Sequence, residues 1–254
     1  MKRIIRTDIV STFCVFKLVY YHICLILQLP DSSRIAVIPV SLFNIFGYNI
    51  LLLGGRFCGL HKKERRMLYI FDMGGVVLHN IFTLKDILAA EGCDLDMMAL
   101  YRDDLMTRYS SGQITEQQYW TEFNRLHETE IKPPQWGHFF NPKLDKAMVD
   151  LIVELKKNNR VVCGSNTIKP HWDISVERGD YLPFHKVYAS HLMGVSKPDP
   201  RFWEIILEKE KVRPGEAVFI DDFPENVAAA ASLGIRSIQF RDILSLREIL
   251  CMPV

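Results

Sequence analysis

The chain has 254 residues, 48% hydrophobic and 24% charged, with 14 Gly and 12 Pro. That composition excludes a disordered or low-complexity protein and allows one large domain, or a core with a small insert. A net charge of +1 argues against a general nucleic-acid binder. The near-neutral sum conceals a division. Residues 1–66 carry ten Lys and Arg against three Asp and Glu, whereas residues 67–254 carry 21 against 27. Such asymmetry separates two parts with different surroundings.

Residues 1–66 read as an apolar, basic extension. Ile9–Leu29 and Ile35–Leu53 are long enough to span a bilayer, but Lys17, His22 and Gln28 interrupt the first and Pro39, Asn44 and Asn49 the second. The basic start has no small-residue cleavage site after it, which argues against a cleaved signal peptide. Three origins stay open: a start codon called upstream of Met67, a membrane anchor with the basic flank His61–Arg66, or an accessory layer on the domain. A membrane is a partner only if 1–66 is expressed as an anchor; the domain itself is expected in the cytoplasm. The six cysteines (Cys14, Cys24, Cys58, Cys93, Cys163, Cys251) contain no CxxC pair and no zinc spacing, so they are expected to be reduced, buried thiols.

From Met67 onward, short β-branched runs alternate with helical stretches. The strands are expected at Met67–Asp72, Arg160–Gly164, Lys186–Ala189, Ala217–Asp222 and Ser237–Phe240. Several are continuous apolar runs, as strands covered on both faces are. Helices are expected at Lys143–Asn158, Pro200–Lys211 and Pro224–Leu233, the last stopped by Gly234. This repetition implies an α/β fold with a doubly wound, parallel, Rossmann-like sheet. Residues 83–141 break the alternation. They show only helical patterns, Leu84–Ala90, Met97–Ser110 and Thr115–Thr129, with Thr115 and Gln118 spaced as a capping box. A small helical cap inserted after strand 1, over the C-terminal edge of the sheet, is the expected result. The core is then 67–82 plus 142–254. Tyr109, Tyr119, Trp120 and Trp136 are expected as core of the insert rather than as a substrate platform.

Four strand or loop ends carry polar chemistry. Phe71-Asp72-Met73-Gly74-Gly75 places one carboxylate at a strand end before a Gly pair, although Asp before Gly also makes an ordinary turn. Val162-Cys163-Gly164-Ser165-Asn166 ends in a hydroxyl suited to a phosphate oxygen, or to a helix N-cap. Ser196-Lys197-Pro198 places a point charge before a proline-started helix; a solvated surface lysine is the alternative. Ile220-Asp221-Asp222-Phe223 ends a strand in two adjacent carboxylates, which suit Mg²⁺, where a helix cap needs only one. Together they bring a nucleophile, a hydroxyl, a cation and a metal site to one sheet edge.

In this order the chain resembles the haloacid dehalogenase-like (HAD) hydrolase superfamily over about 67–254. The wording FDMGGVV, GSNT, SKPDP and FIDDFPENVAAAASLGI is similar to the subgroup containing α-D-glucose-1-phosphate phosphatases. The resemblance implies that Asp72 attacks phosphorus to form an aspartyl-phosphate. It implies Mg²⁺ held by Asp72, the Gly74 carbonyl and Asp222, with Asp221 in support. Ser165 and the Asn166 amide would bind phosphate oxygens, Lys197 would offset charge, and Asn226 would orient the Asp221/Asp222 pair. One position departs from the pattern. The superfamily's phosphatases usually carry a second Asp two residues after the nucleophile, as general acid and base, and here that residue is Gly74. Its loss costs ~10²–10⁴-fold, which a good leaving group, a water or a cap residue would offset; His79 is the nearest histidine in the sequence.

The expected function is a Mg²⁺-dependent phosphatase for small phosphorylated metabolites, with sugar phosphates such as glucose-1-phosphate as examples. A metal-independent 2-haloacid dehalogenase is an alternative that tolerates Gly74 but leaves Asp221-Asp222 without a task. A catalytically weak binding or scaffold protein is another, opposed by the presence of all four anchors.

Overall fold

The computed structural model describes residues 66–252, together with the backbone of four two-residue strands at Tyr48–Asn49, Leu52–Leu53, Arg56–Phe57 and His61–Lys62. The chain divides into two compact units, 1–65 and 66–254. The expectations for the basic extension fall outside the described residues. Among the described residues, no helix is long and apolar enough to cross a membrane.

The larger unit contains strands β1 (Leu68–Phe71), β2 (Leu78–His79), β3 (Lys143–Leu144), β4 (Arg160–Ser165), β5 (Lys186–Ala189), β6 (Ala217–Asp221) and β7 (Arg236–Gln239). Five of them form a parallel sheet in the order β7-β6-β1-β4-β5. Successive side chains on a strand point to opposite faces, and both faces here are apolar. Val161, Cys163, Val218 and Ile220 pack on one side, against Met148, Leu151, Ile152 and Leu155 of a helix at Lys146–Lys156. Val162, Phe219 and Ile70 pack on the other, against Phe202, Trp203 and Ile206 of a helix at Arg201–Glu210. This two-sided burial is why the strands read as unbroken apolar runs, and it makes the sheet doubly wound as expected. Of the three cysteines in this unit, Cys163 is buried, Cys93 is partly buried and Cys251 is exposed. Buried thiols were therefore expected too broadly.

Between β2 and β3 lie helices α1 (Thr83–Ala90), α2 (Met97–Tyr101), α3 (Asp104–Ser110), α4 (Glu116–His127) and α5 (Trp136–Phe139). The Thr115–Gln118 capping box forms at the start of α4. Tyr109, Tyr119, Trp120 and Trp136 are all buried and packed on one another, so they are core of the insert. Met97–Ser110 is two helices rather than one. The Asp103 carboxylate accepts the Met106 N–H at 2.6 Å and starts α3 afresh. The helix expected from Lys143 begins later, as α6 (Lys146–Lys156), because Asp145 caps it at Met148 N. Lys143 and Leu144 instead pair antiparallel with His79 and Leu78. This two-stranded neck brings the two ends of the insert together where it leaves the sheet. The remaining helices are α7 (Lys169–Arg178), α8 (Ser190–Met193), α9 (Arg201–Glu210), α10 (Pro224–Ser232) and α11 (Ile243–Ile249).

Candidate active site

The ends of β1, β4 and β6 are level, since Phe71 pairs with both Cys163 and Ile220. That register sets Asp72, Ser165 and Asp221 along one edge. Asp72 is fixed by its own N–H, which donates to the Ile220 carbonyl at 2.8 Å. Its carboxylate does not fold back on a turn. Asp72 Oδ1 accepts from Lys197 Nζ at 2.7 Å, and the same ammonium donates to Asp221 Oδ2 at 2.7 Å. Lys197 is only 5% exposed, so it is no solvated surface lysine.

Asp221 is fully engaged by protein. Besides Lys197, it accepts from Phe223 N at 2.9 Å and from Asn226 Nδ2 at 3.0 and 3.1 Å. Neither aspartate caps α10, whose N-cap position is Phe223 and has no side-chain bond. Asp222 is different: its Oδ1 is buried and has no hydrogen-bond partner. Ser165 is buried and caps no helix, because α7 starts four residues later with Ile168 at its N-cap. The Asn166 side chain is committed elsewhere. Its Nδ2 donates to the Lys197 carbonyl and its Oδ1 accepts from Lys197 N, both at 2.8 Å. Asn166 thus holds the backbone that carries the lysine, and any bond from it to a ligand has to come from its main-chain N–H.

Three carboxylates around one ammonium leave a surplus of negative charge. Burial, and then the charges of Asp221 and Asp222, push the Asp72 carboxyl well above the usual range despite Lys197. Burial and Asp221 raise Asp222 to about 6. Burial alone would lower Lys197, but Asp221 and Asp72 outweigh it and hold the ammonium charged. Ligand atoms from Asp72, Asp221 and Asp222 lie within 4.8 Å of one another. Hard oxygen donors with excess charge, one of them an orphaned buried oxygen, fit a divalent cation such as Mg²⁺.

A stability prediction follows. In the folded, metal-free protein Asp72 and Asp222 hold protons that the unfolded chain releases near pH 4. Raising the pH from about 4 to 7 therefore removes what these two groups contribute to the metal-free fold. The melting temperature in EDTA falls across that window by about 2–4 °C or more relative to that of an Asp72→Asn, Asp222→Asn variant, in which the opposing titration of His171 is unchanged. Added Mg²⁺ raises the melting temperature more at pH 7.5 than at pH 5, because binding needs the deprotonated groups. Thermal melts at the two pH values, with and without Mg²⁺, check this; an equal Mg²⁺ effect at both would contradict it.

Gly75 makes room for Asp222. It has φ +75°, and a Cβ there would overlap the Asp222 carboxylate. Gly75→Ala is expected to displace Asp222 and lower Mg²⁺ affinity or activity by about 10–100-fold. A Mg²⁺ titration of the variant is the check, and an unchanged midpoint would contradict it.

Two further groups of contacts leave no signal in the sequence. Ser190 Oγ donates to the Ser110 carbonyl and accepts from Thr167 N, and Ser110 Oγ lies 3.0 Å from Ser196 Oγ. The end of α3 is thereby tied to the chain neighbours of Asn166 and Lys197. On the other side, Arg102 Nε donates to Glu225 Oε1 at 2.9 Å, linking the insert to the start of α10. These pairings join residues far apart in the chain, with no local signal. His79, near Gly74 in the sequence, is an exposed residue and pairs with Asp145 Oδ2 at 3.1 Å in the neck.

Comparison with known proteins places this geometry. The chain is 25% identical over 188 residues to D-ribitol-5-phosphate phosphatase of Bacteroides thetaiotaomicron, covering 67% of this chain and 89% of that protein. It is 29% identical over 157 residues to drimenol cyclase drtB of Aspergillus calidoustus, covering 53% of this chain and 30% of the cyclase. Acyl-CoA dehydrogenase family member 10 of Mus musculus is 30% identical over 52% of this chain, which spans 13% of that relative. Among solved structures, a HAD-like hydrolase from Porphyromonas gingivalis superposes with a TM-score of 0.60 at 25% identity, over 74% of this chain and 99% of that one. The family model for haloacid dehalogenase-like hydrolases matches residues 67–234. That span takes in all four strand and loop ends with their aspartates and lysine, and the chain belongs to the haloacid dehalogenase-like hydrolase family.

Proposed function

We propose that the protein is a Mg²⁺-dependent phosphatase that hydrolyses small phosphorylated metabolites through an aspartyl-phosphate on Asp72. The observation that carries this is the buried Lys197 ammonium bridging Asp72 and Asp221 beside the unpartnered oxygen of Asp222. Two relatives are named for activities of this class, the ribitol-5-phosphate phosphatase and the sesquiterpene phosphatase astK of Aspergillus oryzae.

Asp72, Asp222 and the Gly74 carbonyl would hold the ion, with Asp221 in support. When bound, it would offset charge on the phosphoryl oxygens. Asp72 attacks phosphorus. Lys197 steadies that carboxylate and offsets its charge, and Asn226 orients Asp221 from behind. Ser165 Oγ and the Asn166 N–H bind phosphoryl oxygens at the end of β4. The catalytic power comes mainly from positioning and fixed charge. Residues 83–141 act as a cap over the strand ends and choose the substrate. The test is phosphate release from p-nitrophenyl phosphate with and without Mg²⁺. Release that stops on chelation supports the proposal; halide release from a 2-haloacid, insensitive to chelator, would replace it.

A further inference from the structure

When a phosphate ester is cleaved, the leaving oxygen departs with the electron pair of its bond to phosphorus. An alkyl oxygen needs a proton in that step, whereas the oxygen of an already acidic alcohol does not. The charged and polar side chains placed at the strand ends are each committed to another partner or role. The Lys197 ammonium is shared between Asp72 and Asp221, donating to each at 2.7 Å. Asp221 is saturated by four protein hydrogen bonds. Asp72 is the nucleophile, Asp222 an ion ligand, and the Ser165 hydroxyl is too weak an acid.

The place where a donor would be added is occupied. Gly74 has no side chain, and a Cβ built on it would stand 2.6 Å from Ile81 Cδ1. Ile81 is partly buried against the core between β2 and α1. An apolar side chain of the core segment just before the insert thus reaches into the slot that a side chain at 74 would enter. His79, two residues earlier, is turned to Asp145 across the neck.

We propose that this site is selective for phosphates whose leaving oxygen is already acidic: anomeric, aryl, enol or acyl phosphates, in preference to phosphates of primary alcohols. The proposal rests on the phosphatase function above and narrows its substrate class. The bond from Asp72 to phosphorus forms as the bond from phosphorus to the leaving oxygen breaks. That oxygen keeps the electron pair and takes its proton from bulk water. Water then attacks phosphorus, the bond to Asp72 breaks, and the water proton passes to solvent, giving inorganic phosphate and a free carboxylate.

The test uses the full chain with saturating Mg²⁺ and reads kcat/KM. One pair is a hexose 1-phosphate and the same hexose 6-phosphate, which share size and charge. A second series runs from p-nitrophenyl to phenyl phosphate, which varies acidity with little change of shape. The 1-phosphate is expected to exceed the 6-phosphate by about 10²-fold, and p-nitrophenyl phosphate to exceed phenyl phosphate by about tenfold or more. Gly74→Asp combined with Ile81→Ala is expected to narrow both gaps about tenfold by raising the slower member. Values equal within about threefold across both series, or a folded double variant that leaves both gaps unchanged, would overturn the inference. If the double variant does not fold, the unmodified protein's two series decide alone. No phosphate release from any of these substrates contradicts the phosphatase function itself, which separates the two failures.

Discussion

Replacing Asp72 by Asn is expected to cut phosphate release by about 10⁴-fold or more. The amide keeps the shape of the carboxylate and still accepts a hydrogen bond where Lys197 Nζ now donates at 2.7 Å. It has no charge with which to attack phosphorus. The same change should not weaken the metal-free fold. Asp72 is buried beside Asp221 and Asp222, and its carboxyl is pushed upward by that burial and repulsion. A neutral isostere removes both penalties. The melting temperature in EDTA is therefore expected to hold or rise while activity disappears. Phosphate assays paired with melts read both effects. Activity that survives, or a fold that collapses, would contradict the account.

Lys197→Met carries the second large effect. It removes the cation between two buried carboxylates and fills part of the space with an apolar chain. An uncompensated buried charge costs about 3–5 kcal/mol when one partner is removed. The loss is local, because Asn166 bonds to the Lys197 backbone, which the substitution leaves in place. Phosphate release is expected to fall by about 10³-fold, since a fixed charge at the phosphoryl group is gone. Mg²⁺ then becomes the chief cation left for the three carboxylates. Its stabilisation of the variant, measured as a rise in melting temperature, is expected to exceed that of the unmodified protein. An equal or smaller rise would show that Lys197 and the ion do not share the same carboxylates.

The features legible in the sequence are those fixed by short-range rules. Strands buried on both faces appear as apolar runs, so β4 and β6 and the polar residues that end them could be read directly. The capping box at Thr115 is likewise a four-residue pattern. Helix α7 was not legible, because it buries only Ser175 and shows no clear apolar stripe. The neck strands β2 and β3 are two residues each, too short for a period of two to show. The break at Asp103 had a signal, an aspartate three residues before the N–H it caps, hidden within a continuous helical pattern. At the site, residue types and order were readable, but their roles divide by geometry alone. Asp221 and Asp222 are identical in sequence terms, yet one is saturated by Lys197, Asn226 and Phe223 and the other has an oxygen without a partner. Asn166 likewise reads simply as a ligand-binding residue, and only the structure shows that its side chain holds the Lys197 backbone, which leaves its main-chain N–H for a ligand. The serine contacts of α3 with the start of α8 and with the loop before Lys197 depend on distant pairings that no local pattern encodes.

The central claim is that Asp72 carries the phosphoryl group during turnover. Acid quenching of the protein during Mg²⁺-supported turnover of p-nitrophenyl phosphate, followed by mass spectrometry of the peptide containing Asp72, tests it most directly. The expected result is a fraction of that peptide heavier by one phosphoryl group, absent in Asp72→Asn and absent when Mg²⁺ is chelated. Phosphate release at full rate with no modified Asp72 peptide at any quench time would contradict it.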